Sequence, residues 1–172
     1  MPLLANVRPQ AKGAYDCAGH YRSSFMFADL RVPVERTSVE VLASDGSHHS
    51  LVVFHAPGVE LESFVESPEP FFPAHAGEAF RMFARSYVVV LSAHLATTYA
   101  AADDELPETR RMVHVHLRGH GVLTGEIRYV ASEGASRPID YLNESSRSFA
   151  LFTEGRVHHV VKRHVSFVEE VG

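Results

Sequence analysis

The sequence predicts an all-β protein made of two tandem, five-stranded small β-barrel units with short helical turns. Three observations lead there. Short segments of alternating apolar and polar residues recur from Phe25 to the end of the chain, separated by turn residues. Their order runs through twice. Between the two runs lies AAADDELPET, residues 100–109, acidic and proline-bearing with no aromatic side chain, as suits a linker. The expected organisation is an N-terminal arm over 1–24, a first barrel unit over 25–99, the linker over 100–109 and a second unit over 110–172.

The arm mixes Gly, Pro, Ser and charge without periodicity. In the first unit, Leu30–Val34 and Ser38–Leu42 alternate with period two, the pattern of half-buried strands. Asp45-Gly46 suits the positive φ of a tight hairpin, so Leu51–Phe54 reads as the return strand. Phe64-Val65 starts a shorter strand that Pro68 and Pro70 interrupt, and Ala79–Ala84 and Tyr87–Leu91 complete the set. In the second unit, Met112–Leu117 and Val122–Val130 flank a turn at Gly119-His120-Gly121. Segments at Pro138–Leu142, Ser148–Phe152 and Val157–Val161 follow.

The repeat is read from four correspondences. The turns at Gly46 and Gly121 match, each followed by a strand ending in an aromatic, Phe54 and Tyr129. Phe64-Val65 falls on Tyr141-Leu142, and Phe72 on Phe149. Tyr87–Leu95 lies over Val157–Val165 without a gap, pairing His94-Leu95 with His164-Val165. At the end of the second unit, Lys162-Arg163-His164 between Val160-Val161 and Val165–Val168 suits a helical turn that lets a last strand cross to the first and close a barrel. Closure would also remove the exposed edges that invite aggregation.

Leu123, Gly125 and Ile127, with Asp140-Tyr141-Leu142-Asn143, resemble the second-strand pattern and the Asp…Asn turn of the Sm-like family of small barrels. The resemblance covers the second unit and implies an Sm/SH3-like fold. In that family the Asp…Asn loop helps bind single-stranded RNA in a ring pore, which would give Asp140, Tyr141 and Asn143 a role in RNA contact. The chain departs from the family in a longer stretch between Gly125 and Asp140 and in Gly155-Arg156, which reverses the family's Arg-Gly order.

Composition narrows the classes of function. A formal net charge of −5 opposes a polyanionic partner, because non-specific nucleic-acid affinity comes from Lys and Arg neutralising phosphates. DNA and anionic membrane surfaces are therefore not expected as partners. Cys17 is the only cysteine, which excludes an intrachain disulfide and a Cys-rich zinc site. No apolar run approaches a membrane span and the N-terminus lacks a secretory pattern, so the expected compartment is the cytoplasm. There is no Gly-x-Ser-x-Gly elbow and no phosphate-cradling glycine loop, so no enzyme activity and no cofactor are expected.

Twelve histidines stand out. His114 and His116 lie two apart on a strand and point to one face, with His120 on the adjoining turn, a geometry that could offer imidazoles to a metal. The alternative is a solvated strand face. Phe71 and Phe72, between Pro68, Pro70 and Pro73, would mark a protein contact if the barrel cannot bury both. No basic run is longer than a pair such as Lys162-Arg163. The leading expectation is a non-catalytic protein-interaction or scaffold module whose partner is another protein or further copies of itself. RNA binding and metal binding are its rivals.

Overall fold

The alternating segments are strands. The structure, a computed structural model, describes residues 33–98, 108–131 and 137–171, all within one compact unit, Pro33–Gly172. The expected arm, Cys17 and nearly all of the linker lie outside the described residues, as does most of the first expected strand at Leu30–Val34.

β1 (Glu35–Ala43) and β2 (His48–His55) form a hairpin whose turn places Gly46 at φ 84°. Thr37, Val39, Val41 and Ala43 are buried and alternate with more exposed neighbours, the period that marked the strand in the sequence. Phe64-Val65 is not strand but part of the helix α1 (Leu61–Glu66). Leu61 and Phe64, three residues apart, share its buried face, and Pro68 and Pro70 lie where the helix would otherwise continue. β3 (Phe71–Ala76) and β4 (Ala79–Ala84) form a second hairpin. A 3₁₀ turn, Arg85–Tyr87, then leads into β5 (Val88–His94) and the short α2 (Leu95–Thr98).

The same succession follows in 108–170. β6 (Glu108–Leu117) and β7 (Gly121–Val130) form a long hairpin. The segment Pro138–Leu142, expected as strand, is the helix α3. Pro138 suits the first helical position, and the Asp140 carboxylate accepts a hydrogen bond from the Arg137 backbone N–H at 3.1 Å, closing the helix start. β8 (Ser148–Thr153), β9 (Arg156–Val161), a 3₁₀ turn at Lys162–His164 and β10 (Val165–Glu170) complete the chain. The helical turn expected at Lys162-Arg163-His164 is therefore present.

One correspondence is corrected. The 3₁₀ turns Arg85–Tyr87 and Lys162–His164 hold the same place in the two successions, so β5 answers to β10 and β4 to β9. The gapless match of Tyr87–Leu95 with Val157–Val165 sets β5 against β9 instead. The two strands are neighbours in the sheet, not equivalents. Apolar runs of similar length are interchangeable by pattern alone, and only the turn before the last strand separates them.

The strands do not close into separate barrels. They form one antiparallel ten-stranded sheet in the order β10-β6-β7-β8-β9-β5-β1-β2-β3-β4. Its two five-stranded stretches meet where β5 pairs with β9. Two apolar clusters fill the interior, and both cross that seam. One centres on Val41, Val53 and Phe72 and takes in Phe152 and Val157 from the second stretch. The other centres on Val115, Ile127 and Leu151 and takes in Val89 and Val90 from β5. β5 is thus buried on both faces, which explains its unbroken run Val88-Val89-Val90-Leu91. Among the described residues no helix is long and apolar enough to cross a membrane.

Candidate interaction edges

The seam shows how two stretches of this chain join. In register, Val90 faces Val160, Leu91 faces His159, Ser92 faces His158, Ala93 faces Val157 and His94 faces Arg156. Ser92 Oγ lies 2.7 Å from His158 Nδ1, and Thr153 Oγ1 holds the other ring nitrogen at 2.9 Å. Burial, reinforced by Arg156, lowers the pKa of His158 and favours the neutral ring that such a chain of hydrogen bonds needs. Arg156 also bridges to Glu40 on β1. Beyond the sheet, the Glu66 carboxylate of α1 accepts from the backbone N–H groups of Arg147 and Ser148, both at 2.8 Å, and from the Ser148 hydroxyl. Backbone pairing, a polar clamp and shared core therefore all hold this seam.

Among the described residues the sheet ends at β4 and β10, each paired on one side only. Such edges present unpaired backbone donors and acceptors to any complementary strand. Both carry apolar side chains in solvent: Phe80 is 60% and Met82 63% exposed on β4, and Phe167 is 51% exposed on β10. Their charges differ in sign. β4 carries Arg81, which makes no ion pair among the described residues, whereas β10 ends in Glu169-Glu170. Superposing Arg85–Tyr87 on Lys162–His164 sets Arg81 on His158 and Ser92 on Glu169. Since Ser92 and His158 face each other across the seam, the same pairing between two chains would bring Glu169 of one opposite Arg81 of the next.

The residues singled out in the sequence are scattered. Phe71 is 53% exposed on β3, one strand in from the β4 edge, whereas Phe72 is buried, stacked on Phe83 at 5.7 Å and edge-on to Phe64 at 5.2 Å. Tyr141 stacks on Tyr129 at 5.5 Å, and its hydroxyl accepts from Ala150 N–H at 3.4 Å. Asp140 is engaged at the start of α3, and Asn143 caps its end through a backbone bond to Ile139. Lys162 donates to Glu144 O and Ser146 Oγ, each at 3.0 Å, and burial draws its pKa down. Arg163 donates to the carbonyl of Arg85 at 3.2 Å, across the seam.

His114 and His116 share the outer face of β6, as their spacing implies, but each is already engaged. His114 Nδ1 is 2.8 Å from Thr124 Oγ1. His116 donates to Glu169 at 3.0 Å and stacks on Phe167 at 4.0 Å. His120 sits in the β6–β7 turn beside Gly46 and His164. Among the described residues no three His, Cys, Asp or Glu side chains are grouped to hold a metal ion.

Sequence reasoning missed Arg81, Glu169 and the Glu40–Arg156 bridge, because each depends on which strands become neighbours. For Arg81 and Glu169 there was one signal, apolar residues next to charge on the strand before or after a helical turn. No known family model matches the chain, and neither a curated protein nor a solved structure is significantly similar to it.

Proposed function

We propose that this chain is a non-catalytic, self-assembling scaffold module, built from two five-stranded stretches of one sheet that join head to tail. The edge β10 of one chain pairs with the edge β4 of the next, as β5 pairs with β9 within the chain. The observation that carries this reading is the internal seam itself: the sequence already makes one such joint, and the strands left unpaired are its equivalents. The exposed Phe80, Met82 and Phe167 supply apolar area at that joint, and Arg81 and Glu169 supply complementary charge. A head-to-tail interface uses two different surfaces, so it generates rings where the rotation closes and filaments where it does not.

The mass of the full chain in solution tests this. Size-exclusion chromatography with light scattering is expected to give a discrete multiple of the 19.0 kDa chain mass that dissociates on dilution. A chain that stays monomeric at about 100 μM, where even weak interfaces are occupied, would rule it out.

A further inference from the structure

Beside the seam lies a cavity of about 210 Å³ whose chemistry assembly does not use. Its floor is apolar, made by Phe64, Phe72 and Leu91, and three guanidinium-bearing residues line it: Arg85 from the first 3₁₀ turn, Arg163 from the second, and Arg147 from the start of β8. None of the three makes an ion pair among the described residues.

Arg85 is the most telling. Its guanidinium lies over Phe64 at 4.6 Å and near Phe72 at 5.3 Å, while Nη1 donates to the Phe64 carbonyl. Its Nε–H is shut off from solvent and has no hydrogen-bond partner among the described residues. Burial pulls its pKa down, with Glu69 opposing. A cation held half out of water with donors unspent is unfavourable unless something negative completes it. Arg163 spends one donor on the Arg85 carbonyl and another on His164, and the Arg147 side chain makes no hydrogen bond among the described residues. Among the described residues Glu69 is the one carboxylate on the lining, so there positive charge is in excess by three to one.

We infer that this cavity binds a small anionic amphiphile, a molecule with one aromatic ring or short acyl chain and one phosphate or carboxylate group. The ring would rest on the Phe64–Phe72 floor, and the anion would take charge-assisted hydrogen bonds from the arginine rim. The volume suits one ring with its charged group and is too small for a dinucleotide.

Phenyl phosphate is the first probe, titrated into the full chain by calorimetry, with benzoate, inorganic phosphate and phenol as comparators. Saturable binding of phenyl phosphate at one site per chain is expected, about tenfold or more tighter than inorganic phosphate or phenol. Benzoate binding alongside it would assign the site to anions in general, and benzoate failing would assign it to phosphate; either result supports the inference. Arg147→Gln combined with Arg163→Gln, both exposed and dispensable for the core, is expected to weaken phenyl phosphate about tenfold or more. Arg85→Lys, which keeps the charge but loses the fork, is expected to weaken it less than Arg85→Met. Arg81→Glu, on the edge strand β4 and outside the cavity lining, leaves it unchanged, which separates this site from the assembly reading. The inference fails on any of three results: no saturable binding up to about 10 mM, phenol binding as well as phenyl phosphate, or affinity untouched by the double substitution.

Discussion

Arg156 on β9 reaches over β5 to Glu40 on β1, donating from Nη1 and Nη2 to the two carboxylate oxygens at 2.6 and 2.7 Å. Three strands are tied by one side-chain pair, across the seam where the sheet joins the two five-stranded stretches. Paired fork to carboxylate, this is the strongest geometry available to an exposed ion pair, yet both partners remain about half in water.

Glu40→Gln is therefore expected to lower stability by roughly 0.5–1 kcal/mol, with the difference shrinking toward zero at about 1 M salt. The hydrogen bond from Arg156 holds the Glu40 pKa below its ordinary value. The contribution is thus present above the unfolded carboxylate pKa and is lost as pH falls through the lowered folded value. Urea midpoints of the two proteins at low and high salt check this; a difference that salt leaves untouched would mean that packing, not charge, holds the bridge.

His159 gives a larger pH dependence. It is buried on β9 opposite Leu91 and Ala150, its Nδ1 has no partner among the described residues, and burial pushes its pKa down to about 4. The folded pKa lies below the unfolded value of about 6.5, so the unfolded chain binds the proton first. Stability is full above about pH 6.5 and falls as pH drops toward 4, by up to roughly 3 kcal/mol over that window. His159→Leu is expected to flatten the slope, leaving a smaller residue from His158, whose pKa burial also lowers. Equal slopes in the two proteins would show that His159 protonates without unfolding.

Most strands were legible in the sequence, by alternation as in Val39-Glu40-Val41 or by an apolar run as in β5, but β3, with Pro70 before it and Pro73 inside it, was not. Nor were the short helices α1, α2 and α3. Phe64-Val65 and Tyr141-Leu142 are too brief to show a period, and their helical state is set by Pro68 and Pro70 behind the first and by Pro138 and Asp140 within the second. The candidate edges were not legible. Phe71, marked as a contact residue, lies on β3, one strand in, and Arg81 and Glu169 gain meaning only once the strand order places β4 and β10 at the two ends. No local pattern encodes that order: β5 lies next to β9 through the burial of Val89 and Val90 among residues of the second stretch.

Gly125 lies where β7 crosses β8, and a Cβ there would meet the Phe152 carbonyl oxygen at 2.7 Å and Leu151 Cγ at 2.9 Å. The first contact is backbone, so relief requires the strands to part. Gly125→Ala is expected to destabilise by about 1–3 kcal/mol, although alanine is otherwise no worse than glycine in a strand. Thermal unfolding measures it. A neutral result would mean that β7 and β8 separate easily, in keeping with their single registered pair, Glu126 with Phe152.

The assembly reading makes its sharpest claim at Arg81 and Glu169. If β10 of one chain lies on β4 of the next in the register of the internal seam, these residues face each other as Ser92 and His158 do. Arg81→Glu puts two carboxylates opposite each other, and Glu169→Arg puts two guanidinium groups there. Each alone is expected to weaken association by about tenfold or more, since like charges set in opposition at an interface cost several kcal/mol when desolvated and less at a rim. The two together restore the opposite pair with its sign reversed and are expected to recover most of the loss. Sedimentation across a range of concentrations reads all four proteins. Glu169→Arg also breaks the His116 contact within its own chain, so its single effect mixes two causes. The double substitution separates them, because a purely local defect at His116 is not repaired by a change on β4. Recovery in the double variant therefore fixes both the partner strands and their register. Losses that simply add would leave self-association, if it occurs, to some other surface.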